Sequence, residues 1–328
     1  MGTETAPLEM KLVSIDAAPH GRTGALVGDD VLDFTSAGAV LPMAAWIPAD
    51  MRDLLTAGKP ALELVGSIVE RVRNASDSER AALQAAGALR PRSAVRLLAP
   101  VPRPNMVLSH GRADASHRGE MRRGEIAPTG DTPVAFIKNT GSIIGPDEAI
   151  ILPPQCSDMV DFEAEFSVVF GATCFNVPEA GALDYIAGYT IVNDVSARDW
   201  VQISRTSEWP GDRDLNRMGK QLPTFCPMGP AIATKDEVPD PHDVRVTSTL
   251  NGTLMQNAHT SDLIFTVPAL IAFFSRWYKF EPGDVLTTGS PPGVGFGRTP
   301  QVFLKPGDVV AITVEGVGTL SNVVARAV

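Results

Sequence analysis

Cysteine is scarce, and where it stands excludes two fold classes. The three cysteines, Cys156, Cys174 and Cys226, lie far apart with no CxxC pair, so neither a disulfide framework nor a zinc ribbon is expected. Aromatic residues make up only 6% of the 328 positions. No apolar run approaches a membrane span; one of the longest, residues 269–274, is far too short. Basic residues are outnumbered, 28 Lys and Arg against 38 Asp and Glu, and the net charge of −10 offers no surface for nucleic acid. Internal repeats and low-complexity tracts are missing. The start, Met1-Gly2-Thr3-Glu4-Thr5-Ala6-Pro7, has no basic n-region, no apolar core and no Ser or Thr at position 6 for myristoylation, and the chain reads as cytoplasmic.

What the chain has in plenty is turn residues, 29 Gly and 27 Pro. Together with few aromatics they predict an α+β, β-rich fold. Short apolar runs at Leu12–Ile15, Gly24–Val27 and Val31–Phe34 predict a β-meander. Met51, Leu54 and Leu55, then Leu62, Val65, Ile68, Val69 and Val72, recur at helical spacing and predict two helices separated near Gly58-Lys59-Pro60. Pro91, Pro100, Pro102 and Pro104 suggest a linker over residues 88–104. The expected organisation is a small N-terminal domain over 1–100 and a main domain over 101–328. In the latter, strands are predicted near 105–109, 134–138, 162–170, 243–250, 284–288 and 309–314. One helix is predicted with Thr266 as its N-cap and Pro268 in its first turn, and a shorter one starting over 184–187.

The chemistry concentrates around residues 160–170. Alternation places Asp161, Glu163, Glu165 and Ser167 on one strand face and Phe162, Ala164 and Phe166 on the other. Side chains two apart on a strand sit roughly 6.6 Å from each other, close enough for two carboxylates to share one cation. A half-buried strand with a solvated polar face would show the same alternation. Asp194, at the end of another apolar run, offers a third acid. Two Glu and one Asp form a hard, all-oxygen set that suits Mg²⁺ or Mn²⁺, with Ca²⁺ possible, and leaves positions open for a chelating 2-oxo acid or 1,3-diketone. No organic cofactor is indicated. His117 and Glu120 stand at i and i+3, so the carboxylate can orient the imidazole as a general base. Lys220 could stabilise an enolate or oxyanion, or be an ordinary solvated loop lysine. The loop Thr287-Thr288-Gly289-Ser290-Pro291-Pro292-Gly293 could cradle a carboxylate on its backbone N–H groups; Pro291-Pro292 rules out a dinucleotide fingerprint.

Six segments in this order resemble the fumarylacetoacetate hydrolase superfamily. They are Asp161-Phe162-Glu163-Ala164-Glu165, Asn193-Asp194-Val195-Ser196-Ala197-Arg198-Asp199-Trp200, the run 224–230, the run 251–256, the run 288–295, and residues 304–308 with 315–318. The resemblance spans roughly 105–328. It implies a mixed β-roll catalytic domain in a homodimer, with Mg²⁺ or Mn²⁺ on Glu163, Glu165 and Asp194. It also implies a lid dyad of His117 and Glu120 and an active-site Lys220. Arg198, Thr224, Thr288 and Gly289 match positions near metal or substrate. Asp161 is left as a structural group.

The implied reaction is hydrolysis of a C–C bond in a diketo acid of acylpyruvate or fumarylpyruvate type, through an enolate that the metal stabilises. Decarboxylation, hydration and keto–enol isomerisation of a 2-oxo acid use the same parts. A non-catalytic ligand-binding protein is the alternative from another class, and the complete residue set argues against it. Three departures stand where substrate is read. Ala113-Asp114 replaces an Asn-Tyr pair, Val201 precedes Gln202, and His110 holds the place of an extra metal-ligating Asp in the larger fumarylacetoacetate hydrolases. They point away from fumarylacetoacetate itself.

Overall fold

In the computed structural model, residues 10–18, 21–111, 132–153 and 158–327 are described, except the side chains of 205, 210 and 213. The three apolar runs near the N-terminus form the expected meander: β1 (Lys11–Ile15), β2 (Arg22–Val27) and β3 (Asp30–Asp33) pair antiparallel in turn. The helical stretch holds three helices rather than two, Met51–Thr56, Gly58–Arg73 and Asp77–Ala85. The third begins at a capping box, in which Ser76 and Glu79 bond each other's backbone N–H groups. Residues 88–104 are more than a linker. Their β4 (Leu89–Pro91) pairs with β3, and β5 (Leu97–Leu98) pairs with β1.

Further along come β6 (Val107–Gly111), β7 (Val134–Lys138), β8 (Ile143–Ile144), β9 (Ile150–Leu152), β10 (Val160–Asp161), β11 (Ala164–Phe170), β12 (Ile186–Asn193), β13 (Ser196–Ala197) and β14 (Cys226–Thr234). The last five are β15 (Arg245–Leu250), β16 (Thr253–His259), β17 (Val285–Thr287), β18 (Val309–Val314) and β19 (Gly318–Arg326). The main sheet runs β4-β3-β2-β1-β14-β12-β11-β17-β6-β7, mixed in direction because β17 and β6 are parallel. The meander therefore extends the same sheet, through Lys11 opposite Ala233. A second sheet runs β16-β15-β18-β19-β9. The helix expected over 184–187 is instead a 3-10 turn, Ala182–Tyr185, that leads straight into β12.

Both faces of the main sheet are covered. Phe166 and Phe170 of β11 pack with Val246 and Ile312 of the second sheet and with Leu270 and Phe274 of the helix Val267–Phe274, which Thr266 caps as expected. Val169, on the opposite face, packs with Leu12, Phe34, Leu55 and Val69 from the N-terminal part. Every residue of β11 is buried, so the half-buried strand with a solvated face does not apply. Among the described residues no helix is long and apolar enough to cross a membrane.

Phe166 lies with its ring stacked on Tyr189 at 4.9 Å between centroids. Truncation there leaves a cavity between two packed layers. Phe166→Ala is expected to lower unfolding free energy by about 3–5 kcal/mol, read as a shifted denaturant midpoint at constant slope.

Candidate metal centre

The stretch expected as one strand over 162–170 is broken. β10 pairs only with β13, in a two-residue ribbon, and β11 begins at Ala164. At the break, side chains replace the backbone ladder. Asn193 Oδ1 accepts from Glu163 N at 3.0 Å, and Gln256 Oε1 accepts from Ala164 N at 3.1 Å. The chain then crosses to the neighbouring strand end, where Asp194 N donates to Glu163 O at 3.0 Å. These bonds hold Glu163 and Asp194 together by their backbones, with Glu165 two residues into the strand. One carboxylate oxygen from each of the three lies within 4.8 Å of the others, and all three residues are buried.

Three cations close on this cluster from separate parts of the chain. Arg198 Nη2 donates to Glu163 Oε1 at 2.6 Å, and its Nε donates to Asp161 Oδ2 at 2.8 Å. Lys220 Nζ donates to Glu163 Oε2 at 2.9 Å, Asp194 Oδ2 at 2.6 Å and Ser196 Oγ at 2.8 Å. Lys138 Nζ forms a short ion pair with Asp194 Oδ1 and donates to Phe225 O at 2.8 Å. Arg198 and Lys220 reach the cluster because the chain between them, the helices Arg198–Thr206 and Leu215–Met218, returns to its starting point. Ala197 N donates to Gly219 O at 2.8 Å and closes its base.

Burial works against the Lys220 ammonium, but Asp194 and Glu163 beside it more than offset this and hold its pKa above the ordinary lysine value. Glu165 has the opposite problem. Burial, then the neighbouring charges of Asp194 and Glu163, push its carboxyl well above the usual range, against a hydrogen bond from Thr287. Its Oε2 has no hydrogen-bond partner although it is fully buried. With every group ionised, four carboxylates (Asp161, Glu163, Glu165 and Asp194) face three cations among the described residues, and the charge left over rests on Glu165.

An unpartnered buried oxygen and a surplus negative charge on an all-carboxylate set are what a hard divalent cation satisfies, so the residues fit Mg²⁺ or Mn²⁺. Such an ion on Glu163, Glu165 and Asp194 turns the local charge positive by one, the sign an anionic substrate requires.

The other predicted residues take varied places. Asp161 is a structural anchor: besides Arg198, Gly295 N and Phe296 N donate to its carboxylate at 2.8 and 3.0 Å. A Cβ on Gly295 would meet Val302 O at 1.8 Å, which is why only glycine fits that approach. Arg198 is engaged by Asp161 and Glu163 and is buried, so its guanidinium orients carboxylates. Thr224 adopts φ +70, and its hydroxyl accepts from Ile151 N at 2.8 Å. Thr288 N and Oγ1 both donate to Phe166 O, at 3.0 and 2.9 Å. With Gly289 it lines a cavity shared with Phe166, Val246 and Leu263, on the face of β11 opposite Glu165. His117 and Glu120 lie outside the described residues.

Sequence reasoning passed over Lys138, Thr287, Ser196 and Asn193 as site residues. Only the fold reveals the place of Lys138: it shares one face of β7 with Phe136, whose ring centroid lies 5.5 Å from Lys220 Nζ. Thr287, not Thr288, is the hydroxyl beside Glu165. The two described cysteines are not nucleophiles. Burial pushes the Cys174 thiol up to about 11 and the Cys226 thiol up to about 12.

The chain is similar to known proteins along most of its length. The model of the fumarylacetoacetate (FAA) hydrolase C-terminal family matches residues 106–325. The oxaloacetate tautomerase fahd2 of Xenopus laevis, described as mitochondrial, is 36% identical over 325 residues, 98% of this chain and 92% of the relative. A solved fumarylacetoacetate hydrolase from Exiguobacterium antarcticum superimposes with a TM-score of 0.75 at 30% identity, over 97% of this chain and 100% of that one. The maleylpyruvate hydrolase of Sphingobium sp. SYK-6, solved with manganese(II) and pyruvate, gives 0.67 at 27% identity over the same shares.

The Glu165 shift sets a pH dependence. Its folded pKa stands above the unfolded value, so its contribution to stability is fully present below the unfolded value and is lost as pH rises through the folded one. The metal-free protein should therefore lose Tm as pH rises above the ordinary carboxyl range, and Glu165→Gln should lose less. Added Mn²⁺ should restore more Tm the higher the pH. Calorimetry with and without Mn²⁺ reads this; equal pH slopes for wild type and Glu165→Gln would contradict it.

Proposed function

The chain belongs to the fumarylacetoacetate hydrolase family, and from that premise we propose that it is a divalent-metal-dependent enzyme acting on small 2-oxo dicarboxylates. Its proposed reaction is keto–enol tautomerisation of oxaloacetate or a close analogue. The observation that carries the metal-dependent chemistry is the buried cluster of Glu163, Glu165 and Asp194 with Glu165 Oε2 unpartnered. Tautomerisation is favoured over the family's other reactions by the likeness to an oxaloacetate tautomerase along nearly the whole chain.

Bound at the three carboxylates, the ion supplies a Lewis acid that polarises a 2-oxo carbonyl and raises the acidity of the adjacent carbon. The protein's own groups account for the rest. Lys220, buried and held protonated, is a donor for negative charge developing on the substrate oxygen, and the low local dielectric strengthens that bond. Arg198 holds the Glu163 carboxylate so that its orientation survives when Lys220 turns to substrate. Gln256 braces both the strand break and the loop that follows β17: its Nε2 donates to Ser290 Oγ at 3.0 Å and Pro291 O at 2.9 Å. In this reading His117, oriented by Glu120, carries the proton to and from carbon.

A second reading, hydrolytic cleavage of an acylpyruvate, has support in the maleylpyruvate and fumarylacetoacetate hydrolases that share the fold. It requires an attacking water, which tautomerisation does not, and His117 with Glu120 would activate it.

The two readings separate in one experiment. The Mn²⁺-loaded protein should speed the decay of enol-oxaloacetate, followed by its ultraviolet absorbance, and EDTA should abolish the effect. Lys220→Met should lower kcat by about 10²–10³, with a smaller change in KM. Release of pyruvate from acylpyruvates with no effect on enol decay would replace tautomerisation by hydrolysis.

A further inference from the structure

The three cations around the cluster are not equivalent. Lys220 is shared, touching Glu163 Oε2 and Asp194 Oδ2. The other oxygens have private partners. Arg198 holds Glu163 Oε1, and Lys138 holds Asp194 Oδ1. Arg198 is fixed in turn by Asp161, and Lys138 by the carbonyl of Phe225 at 2.8 Å. Lys138 is also fixed at its root: it ends β7, opposite Val107 in the β6–β7 ladder, and its side chain is 0% exposed.

We propose that Lys138 is a positioning residue for the metal centre, one that holds the Asp194 carboxylate by Oδ1 so that Oδ2 faces Glu163 and Glu165. The proposal rests on reading those three acids as the metal ligands. Lys138 touches neither metal nor substrate in this role and acts through Asp194 alone. The need for such a residue follows from the position of Asp194. It lies past the end of β12, outside the strand ladder, and its side chain has two torsions to be fixed. Its other bonded cation, Lys220, is the group expected to turn towards substrate. An ammonium braced on a backbone carbonyl supplies an orientation that does not depend on the catalytic state. Carboxylate orientation by an outer hydrogen-bond partner of this kind is worth about 10- to 100-fold in metal affinity.

Charge alone predicts the opposite sign. Removing a positive group beside a divalent cation strengthens binding by Coulomb's law, so a purely electrostatic Lys138 would weaken the site, and its loss would tighten it. Titration calorimetry of the full chain with Mn²⁺, on wild type, Lys138→Met and Lys220→Met, therefore decides. The expected result is binding about 10- to 100-fold weaker in Lys138→Met and at least as tight as wild type in Lys220→Met. Equal or tighter binding in Lys138→Met overturns the proposal, and so does an equal loss in both variants. Should Lys138→Met fail to fold, Lys138→Leu, which likewise removes the donor to Asp194 Oδ1 and places an apolar side chain in the buried site, replaces it with the same criteria. A wild type that binds no Mn²⁺ overturns the metal reading itself and this inference with it. A wild type that binds Mn²⁺ while Lys138→Met binds it equally well overturns this inference alone.

Discussion

Three carboxylates within 4.8 Å of one another, all buried, repel each other, by about 4 kcal/mol per pair at an effective dielectric of ~20. Much of the surrounding structure answers that repulsion. Arg198, Lys220 and Lys138 come from a helix start, the end of a helical excursion and an edge strand, and each ends on a carboxylate oxygen of the cluster. Asp161 extends the network to the loop at Gly295 and Phe296. Removing one member of such a network leaves a buried charge uncompensated, typically at a cost of about 3–5 kcal/mol, so the cations are structural as well as chemical. Glu165 alone keeps an oxygen with no partner, and that is where a divalent ion would complete the balance.

The break between β10 and β11 is part of the same arrangement. A continuous strand would hold the side chains of Glu163 and Glu165 roughly 6.6 Å apart on one face. Handing the backbone bonds of Glu163 and Ala164 to Asn193 and Gln256 instead gathers the cluster around the end of β12, where Asp194 stands. The two apolar layers on either side of the main sheet keep that irregular point buried, so its hydrogen bonds form in a low dielectric.

Much of this was legible in the residues. The meander and the Thr266-capped helix follow from local patterns of alternation and capping. Acids set in apolar runs put Asp161, Glu163, Glu165 and Asp194 forward, and the family resemblance singled out Glu163 and Glu165 with Asp194. What was not legible depends on long-range geometry. The helical return from Arg198 to Lys220 is an acid- and Arg-rich stretch whose closing bond, Ala197 to Gly219, no local pattern announces. Lys138 reads as an ordinary strand-end lysine until β7 is placed at the sheet edge beside Asp194. Thr287 and Thr288 are adjacent in sequence, and only the register of β11 with β17, Ser167 opposite Thr287, decides which one shares a side with Glu165.

The central claim is that Glu163, Glu165 and Asp194 hold one divalent ion. Anomalous diffraction from Mn²⁺-soaked crystals of the wild-type chain tests it most directly. One manganese peak coordinated by an oxygen of each of the three residues, and its loss in Glu165→Gln, is the predicted result. A peak elsewhere, or none at saturating Mn²⁺, would contradict the account.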